Sequence, residues 1–572
     1  MQALTAAESI YLNIFRLQLS RGVWTLDELQ PAIASARWQL LMKVVCVLKD
    51  IDTRVAVNII FRWKGLFSRF RSLLIQNGLG NTYLSTFLAL QQVKASGIHS
   101  DVLKATTTRH KQQELDFVKK HSSQCLTVAT SVPLDVECIL EPDEMIIDFL
   151  EFSDVYTKGI TAMYATVILP DVDPLIVPID TENLSDLMHR WDKSLAENAT
   201  GAILKRNQVS EITIHEVGVQ LCSALFPPSV QQHIHRPEVK HIYICSSTTC
   251  TLPLELLPSP DGSPLFQGRS ICYVNSYQEL TKYVQFVKKM DENHSKDATV
   301  NAPLDTSSTQ QQQTTLTREC YIIADPNYDL QSSQHQLSIW EQFADMWKPT
   351  VSVIERLPNS HAEAQSVAEI LSADSRLSVH VVTGDHATVG ALIDLDSPFL
   401  LHISTHGFSQ LCIGLYHGQF WDDTKSGLIL AGYNTYLRQK YSMMVSEAGL
   451  GMLNSLGACG LKLSNTCIVF ISTCVSGIGI AAFQESSTSL ADAFQAAGAQ
   501  TVIASRWNVA DEPTYVFIKY FYRHLLIPGI RPSEALLKAR EEICRNHEQF
   551  RHWYNWAGFV CYGLDWPLFP ST

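Results

Sequence analysis

The sequence lacks the cysteine pairs and glycine-rich loops that mark several common classes of protein. Its 14 cysteines include no CxxC pair, and nothing pairs with the two closest, Cys245 and Cys250, at zinc-ligand spacing. No Walker loop or GxGxxG precedes a helix, and Ser476 does not lie in a GxSxG elbow. We therefore expect no metal and no cofactor, and we do not expect a nucleotide-binding enzyme or a serine hydrolase.

Charge is also scarce, because charged residues make up 18% of the 572 residues whereas hydrophobic residues make up 46%. A disordered chain is therefore excluded. The net charge of −13 argues against a generally basic nucleic-acid binder. Residues 1–120 nevertheless carry a balance of +8, which leaves −21 for the remainder. This asymmetry predicts either two units that attract each other or a basic front that binds an acidic partner.

The chain also lacks a basic segment followed by an apolar run at its N-terminus, so we expect no secretory signal. Scattered thiols without such a signal fit the reducing cytoplasm. Residues 463–484 contain no charge and are long enough to span a bilayer, but polar residues and glycines interrupt them. We interpret this stretch as a buried strand followed by a glycine-containing loop, and we expect no membrane span.

Residues 1–122 are predicted to be all-helical, because apolar positions recur at three- and four-residue spacing in 35–49 and 82–95. The mixed apolar and basic stretch 53–75 is best explained as a bundle helix, although a membrane-surface or nucleic-acid interpretation stays open. From about residue 143 the pattern changes to alternating Val/Ile/Leu-rich strands and helices. This pattern predicts an α/β fold with a mostly parallel sheet covered by helices on both faces.

Two predicted strands end in residues that carry chemistry. Strand 398–404 leads into His406 and Gly407, and strand 467–472 leads into Cys474. Parallel strands end at the same edge of a sheet, so an imidazole would lie near a thiol. The thiolate is a nucleophile in acyl transfer and a histidine can activate it. The backbone N–H groups of Gly407 and Cys474 are candidates to bind the oxyanion.

His402 forms an HxxxH pair with His406 but without the glutamate of HExxH and on a strand. We expect His402 to pack on the sheet and not to bind a metal. The polar, low-complexity segment 289–317 is predicted to be a mobile surface loop, a tolerated insertion more than an activation-cleavage site. The segment 409–425, directly after the His406 strand end, is a candidate lid.

Several ordered runs resemble the CHAT family of caspase-like cysteine proteases, which belong to the separase and gingipain clan and are often joined to tetratricopeptide repeats. The runs are LLHISTHGF, SGLILAG, VFISTCVSGIG, LADAFQAAGAQTVIASRWNVADEPT and WAGFVCYG, with LPLELLPSPDGSPLF upstream. The resemblance implies an inactive caspase-like half over 143–317, which includes the insertion 289–317. An active half would follow over 318–566, and residues 1–122 would be repeat-like or regulatory.

The resemblance also assigns roles to residues. His406 corresponds to the dyad histidine, and Cys474 to the nucleophile that a peptide carbonyl acylates and water then deacylates. Where the family often has SAC followed by E-T-G, this sequence has STCVSG, so the wall of the site can differ from that of relatives. The substrate-binding candidates in this wall are Ser476, Gly477 and Trp507.

Asp511 resembles the separase aspartate that receives an arginine side chain, which implies cleavage after Arg or Lys. The other interpretation is that Asp511 caps the helix that contains Pro513, and the two roles are not exclusive.

Two functions remain at this point. The first is an endopeptidase that cleaves a protein substrate in signalling, defence or cell-death control and is gated by a protein partner at the basic front. The second is a non-catalytic caspase-like scaffold. The intact pair of His406 and Cys474 favours the first.

Overall fold

The computed structural model describes the helical front, the main sheet and most of the helices that cover it. The described residues are 52–63, 66–95, 100–130, 140–153, 160–203, 211–245, 252–274, 280, 318–330, 354–409, 426–435, 451–473, 489–507 and 509–571. The predicted helix 35–49, the loop 289–317 and residues 410–425 of the candidate lid lie outside these ranges.

The front consists of four helices in the described residues: α1 (Thr53–Trp63), α2 (Leu66–Leu74), α3 (Gly80–Ala95) and α4 (Ser100–Thr130). A short π-helical turn with Gly78 at φ +123° separates α2 from α3. Only glycine adopts this conformation readily, which is why the glycine-containing run at 78–81 interrupts the helices as predicted. The predicted all-helical character is confirmed over this part of the chain.

Fourteen strands follow in the described residues. They are β1 (Glu144–Ser153), β2 (Ile160–Leu169), β3 (Val172–Ile179), β4 (His241–Cys245), β5 (Ser270–Val274), β6 (Arg318–Pro326), β7 (Leu377–Gly384), β8 (Leu400–Ser404), β9 (Gly407–Ser409), β10 (Ser426–Ile429), β11 (Met452–Asn454), β12 (Ile468–Ser472), β13 (Thr501–Ser505) and β14 (Phe559–Gly563). Strands β9–β11 form a small antiparallel sheet.

The other strands form one sheet in the order β3-β2-β1-β4-β5-β14-β13-β12-β8-β6-β7. We call the strands β3, β2, β1, β4, β5 and β14 the first block, and the strands β13, β12, β8, β6 and β7 the second block. Strands β1, β4, β5 and β14 are parallel to one another, and so are all five strands of the second block. The blocks meet where β13 pairs antiparallel with β14. The last strand of the chain therefore belongs to the first block and joins the two.

Helices cover this sheet, as predicted for strands made of continuous apolar residues. They are α5 (Leu184–Ile203), α6 (Glu211–Leu225), α7 (Pro228–Ile234), α8 (Ser360–Ser372), α9 (Val389–Ile393), α10 (Ser455–Ala458), α11 (Leu490–Ala496), α12 (Asp511–Leu525) and α13 (Pro532–Asn546). Every residue of β4, β5, β8, β12 and β13 is buried. The predicted class, a mostly parallel sheet flanked by helices and preceded by a helical region, is confirmed for the described residues.

Phe470, on β12, marks the centre of the second block. Its ring is fully buried and lies 5.0 Å from the ring of Phe521 and 5.3 Å from that of Phe559, measured between centroids. Burying one such side chain contributes about 1.5–3 kcal/mol. The strand that leads towards residue 474 is therefore held rigidly in the core.

No helix in the described ranges is long and apolar enough to cross a membrane.

The helical front packs against the body where α3 meets α10 and the turn that follows it. A Cβ at Gly460, two residues after α10, would lie 2.5 Å from Cβ of Leu84 on α3, so only glycine allows this approach. Arg54 and Asp173 add an ion pair at 2.8 Å between α1 and β3, but both side chains are exposed. Such a pair contributes at most about 1 kcal/mol. Close packing therefore holds the front against the body, and this one exposed ion pair adds little to it.

Candidate active site

The two strand ends that carry the predicted dyad lie side by side. Strands β8 and β12 are parallel neighbours, with Ser404 in register with Ser472, and the N–H of Thr405 donates to the carbonyl of Ser472 at 3.3 Å. The prediction that both ends meet at one sheet edge is confirmed. His406 lies two residues after Ser404, and Cys474 lies two residues after Ser472.

Three of the predicted site residues, Cys474, Ser476 and Gly477, lie outside the described residues.

The imidazole of His406 is held in one orientation by a main-chain group. Its Nε2 lies 2.9 Å from the carbonyl oxygen of Glu355, and a carbonyl oxygen can only accept, so Nε2 carries the hydrogen. The ring lies 5.6 Å from the ring of Tyr328, whose hydroxyl bonds Thr405 Oγ1 at 3.0 Å. This tautomer leaves the Nδ1 lone pair of the neutral imidazole to accept a proton.

Gly407 follows in β9, opposite Leu428 of β10. The preceding carbonyl, of His406, accepts the N–H of Ile429 at 2.9 Å. Hydrogen-bonded and non-hydrogen-bonded pairs alternate along antiparallel strands, so Gly407 and Leu428 form a non-hydrogen-bonded pair. The N–H of Gly407 therefore points away from β10.

Asp511 begins α12, whose cap position is occupied by Ala510. The alternative that Asp511 caps its own helix is therefore wrong, although Pro513 does lie in the first turn as predicted. Oδ2 of Asp511 instead accepts hydrogen bonds from the backbone N–H of Asn359 at 2.8 Å and from its Nδ2 at 2.9 Å. Asn359 directly precedes α8, so the carboxylate links the starts of two helices.

Trp507 lies in a cluster of aromatic residues after β13. Its Nε1 donates to the carbonyl of Tyr554 at 2.9 Å, and its ring meets that of Trp553 edge-to-face with centroids 5.5 Å apart. Edge-to-face pairs of this kind are favourable beyond the area they bury. The half-buried indole therefore has a fixed position on the chain that leads from β13 to Asp511.

The neighbouring residue, Arg506, belongs to a buried charge cluster that sequence reasoning missed. Its Nη1 lies 2.8 Å from Oε2 of Glu255, and its guanidinium carbon lies 4.5 Å from the ring centroid of Tyr273. Burial, the largest single influence, would raise the pKa of Glu255, but the charges of Arg506 and Arg540 and the hydrogen bonds to the carboxylate together outweigh burial and lower the pKa. Glu255 and Arg506 both lie in sequence runs that resemble the family. They are 251 positions apart, and nothing in the sequence shows that they form an ion pair.

His402 is fully buried between two side chains from the covering helices. Nδ1 lies 3.0 Å from the hydroxyl of Tyr522, and Nε2 lies 2.9 Å from Oε1 of Glu363. Both ring nitrogens are thus used within the core. The expectation that His402 packs on the sheet is confirmed.

A buried cluster of residue types that can bind a metal lies between β5 and β14 of the first block. Cys272 and Cys561 are register partners on β5 and β14 with their sulfurs 3.4 Å apart, and Asp565 is close to both. Within the described part of the chain the cluster offers three ligands, whereas a structural zinc site has four, and Asp565 also accepts the N–H of Ser533 at 2.8 Å.

Comparison with known proteins gives one family match. The CHAT domain model matches residues 215–564, more than half of the chain. Over 76 residues the chain is 42% identical to human and 38% identical to mouse tetratricopeptide repeat protein 28. Those residues are 13% of this chain and 3% of the length of each relative, so the chain corresponds to a small part of these proteins.

Among solved structures, two crystal structures of the Saccharomyces cerevisiae separase–securin complex align with 93% of this chain and 37% of theirs, at 12% identity and TM-scores of 0.39 and 0.44. The Arg-specific cysteine proteinase gingipain R aligns with 68% of this chain and 76% of its own at 12% identity, with a TM-score of 0.31. All three TM-scores are below 0.5, and no residue of the site is assigned from these structures.

Proposed function

The chain belongs to the CHAT domain family, and we propose that it is a cysteine endopeptidase that cleaves a protein substrate through Cys474 and His406. The observation that carries this proposal is the register of β8 and β12, which aligns Ser404 with Ser472. The bond from His406 Nε2 to the Glu355 carbonyl supports it further, because Nδ1 is then the basic nitrogen. A histidine with one nitrogen fixed and the other basic is suited to general acid–base catalysis.

The proposed reaction proceeds through a thioester. Nδ1 of His406 takes the proton of the Cys474 thiol, and the thiolate attacks the peptide carbonyl carbon. The N–H groups of Gly407 and Cys474 stabilise the oxyanion, and the direction of the Gly407 N–H away from β10 supports this role. The intermediate expels the amine, which receives the proton from His406. Water, deprotonated by His406, then hydrolyses the thioester and releases the carboxylic acid and the thiol.

We further propose that Asp511 binds an arginine or lysine side chain of the substrate, with Ser476, Gly477 and Trp507 forming the wall. Two consecutive residues support a position near the dyad. Asn359 bonds Asp511 at 2.8 Å, and the hydroxyl of Ser360 donates to the carbonyl of Ser404 at 2.9 Å. The acid is thus tied to the strand end that precedes His406, and a fixed carboxylate suits a guanidinium or ammonium group.

The helical front is the proposed site of a regulatory protein partner. Helix α3 packs on α10, which directly follows β11, and β11 pairs with β10, which pairs with β9. A partner that moves α3 would therefore act on the strand that begins at Gly407.

We propose that residues 1–122 gate an active half at 318–566 and that 143–317 is an inactive half. We also propose that the protein acts in the cytoplasm in signalling, defence or cell-death control.

A fluorogenic peptide library with mixed residues before the scissile bond tests the proposal. Wild-type protein is compared with the Cys474→Ala and His406→Ala variants, with Cys544→Ala on α13 as the matched control. We expect cleavage after Arg or Lys in the wild type and the control, and none in the first two variants. Cleavage by Cys474→Ala would contradict the dyad, and cleavage after other residues would contradict the role of Asp511. Silence of the wild type would favour a non-catalytic scaffold.

A further inference from the structure

The carbonyl of Glu355 sets the tautomer of His406, but nothing in Glu355 itself fixes that carbonyl. The side chains of Glu355 and Arg356 are both exposed, and the segment has neither helical nor strand hydrogen bonding until α8 begins at Ser360. A main-chain acceptor in such a segment is held only by the groups that bond its neighbours.

The residue before Glu355 is bonded on both sides by one amide side chain. Nδ2 of Asn434 donates to the carbonyl of Ile354 at 2.8 Å, and Oδ1 of Asn434 accepts the N–H of Ile354 at 2.9 Å. The two bonds fix both peptide planes that meet at Ile354, in the way that a neighbouring strand would. The second of those planes ends at the Cα atom of Glu355, which carries the carbonyl group in question.

Asn434 is itself held rigidly. It is 1% exposed, and its own N–H donates to the carbonyl of Tyr328 at 2.8 Å. Tyr328 also contacts the His406 ring, so one short stretch of chain supports both the imidazole and, through Asn434, the acceptor of its hydrogen. Buried amides of this kind are costly to leave unpaired, so the arrangement is well defined.

An ion pair lies on the other side of the carbonyl. The Arg356 guanidinium bonds both carboxylate oxygens of the buried Asp325, with Nε donating to Oδ1 at 2.8 Å and Nη2 donating to Oδ2, although the Arg356 side chain is 56% exposed. Of the two constraints on the segment, Asn434 is the one whose side chain and bonds are shielded from water.

We infer that Asn434 is a positioning residue for His406: its amide holds Ile354 so that the Glu355 carbonyl keeps the Nε2–H tautomer and leaves Nδ1 as the base. The inference concerns the same site and rests on the proposed function for its catalytic consequence. It assigns the tautomer, however, without reference to any substrate.

The test uses the full-length chain and the isosteric variant Asn434→Asp, which places an oxygen where Nδ2 donates to Ile354. The matched control is Asn546→Asp, the same isosteric change at the end of α13, where the exposed Asn546 Nδ2 donates to the hydroxyl of Tyr520 at 3.4 Å. We expect kcat of Asn434→Asp to fall about 10- to 100-fold, the effect of a misplacement near 1 Å, with KM within about twofold. The control should keep the wild-type kcat.

A second readout is ¹⁵N NMR of histidine-labelled protein, in which His406→Ala identifies the signals of His406. The wild type and the control should show the Nε2–H form alone, and Asn434→Asp should show a mixture of tautomers. A wild-type tautomer in Asn434→Asp, or a fall in kcat with no tautomer change, would overturn the inference. If the wild type cleaves no peptide, the proposed function fails while the tautomer still decides this inference.

Asn434 is buried, so its replacement can also unfold the protein. Asn434→Gln is then the second variant, because it keeps an amide but displaces it by one methylene group and should also give a mixture of His406 tautomers. An unchanged His406 tautomer in folded Asn434→Gln would overturn the inference. A wild-type His406 that carries its hydrogen on Nδ1 would overturn it without any variant.

Discussion

Replacing Glu255 by glutamine should destabilise the junction between the two blocks of the main sheet. Glu255 lies in the turn between β4 and β5 of the first block, whereas Arg506 directly follows β13 of the second block. The carboxylate bonds Arg506 at 2.8 Å, accepts the hydroxyl of Tyr273 at 3.2 Å, and lies 3.9 Å from Arg540. Glutamine keeps the shape and an acceptor oxygen but leaves two buried guanidinium groups without their counter-charge.

Removing one partner of a buried ion pair costs about 3–5 kcal/mol. The ring of Tyr273 remains beneath the Arg506 guanidinium, and a desolvated cation–π contact is worth about 2 kcal/mol. We therefore expect a loss near 3 kcal/mol for Glu255→Gln. The double variant Glu255→Gln/Arg506→Met should be more stable than the sum of the single changes predicts, by about 1–3 kcal/mol, because it removes one of the two uncompensated charges, that of Arg506.

Urea unfolding followed by circular dichroism measures both quantities. The control is Asp186→Asn, which breaks the exposed pair of Asp186 and Arg190 at 3.7 Å and should cost at most about 0.5 kcal/mol. A Glu255→Gln variant within about 1 kcal/mol of the wild type, or strictly additive single changes, would refute the reasoning.

Three further predictions concern the same molecule. The pKa of Glu255 lies below its ordinary value, so the ionised carboxylate stabilises the fold fully above the unfolded pKa of about 4.3, and this contribution is lost as the pH falls through the native pKa. The urea midpoints of the wild type and Glu255→Gln should therefore stay apart from about pH 5 to 7 and begin to converge below about pH 4. A constant gap between the midpoints would contradict this prediction. Gly427→Ala places a Cβ 2.4 Å from the carbonyl oxygen of Leu453 and should cost about 1–3 kcal/mol in the same assay, whereas an unchanged midpoint would show that β10 and β11 can separate freely. Tyr328→Phe loses the hydroxyl's bonds to Thr405 and to the backbone of His406 but keeps the ring, so stability should fall by about 1 kcal/mol and peptide cleavage a few-fold, whereas unchanged stability and cleavage would show that the hydroxyl supports neither residue.

Buried strands are well predicted by the sequence because their signal is local. The runs 398–404 and 467–472 consist almost entirely of apolar residues, and the structure has strands at Leu400–Ser404 and Ile468–Ser472. That both end at one edge follows from their being parallel. The position of His406 at a sheet edge is therefore predictable from the amino-acid sequence alone.

Other features of the site depend on contacts that leave no pattern in the sequence. The acceptor of His406 Nε2 is a backbone carbonyl, and every residue has one. Glu255 and Arg506 pair across 251 positions, and the last strand, β14, inserts beside β5 of the first block. Periodicity reports which face of an element is buried, but it does not report which distant element covers that face.

Covalent capture of the nucleophile tests the central claim most directly. Peptidyl chloromethyl ketones ending in Arg or in Ala are incubated with the native protein, and the labelled residue is identified by mass spectrometry. We predict one thioether, on Cys474 and on none of the other cysteines among the 14, and its loss in His406→Ala. Label on a different cysteine, equal labelling of His406→Ala, or no label on Cys474 would contradict the assignment of this chain as a cysteine endopeptidase.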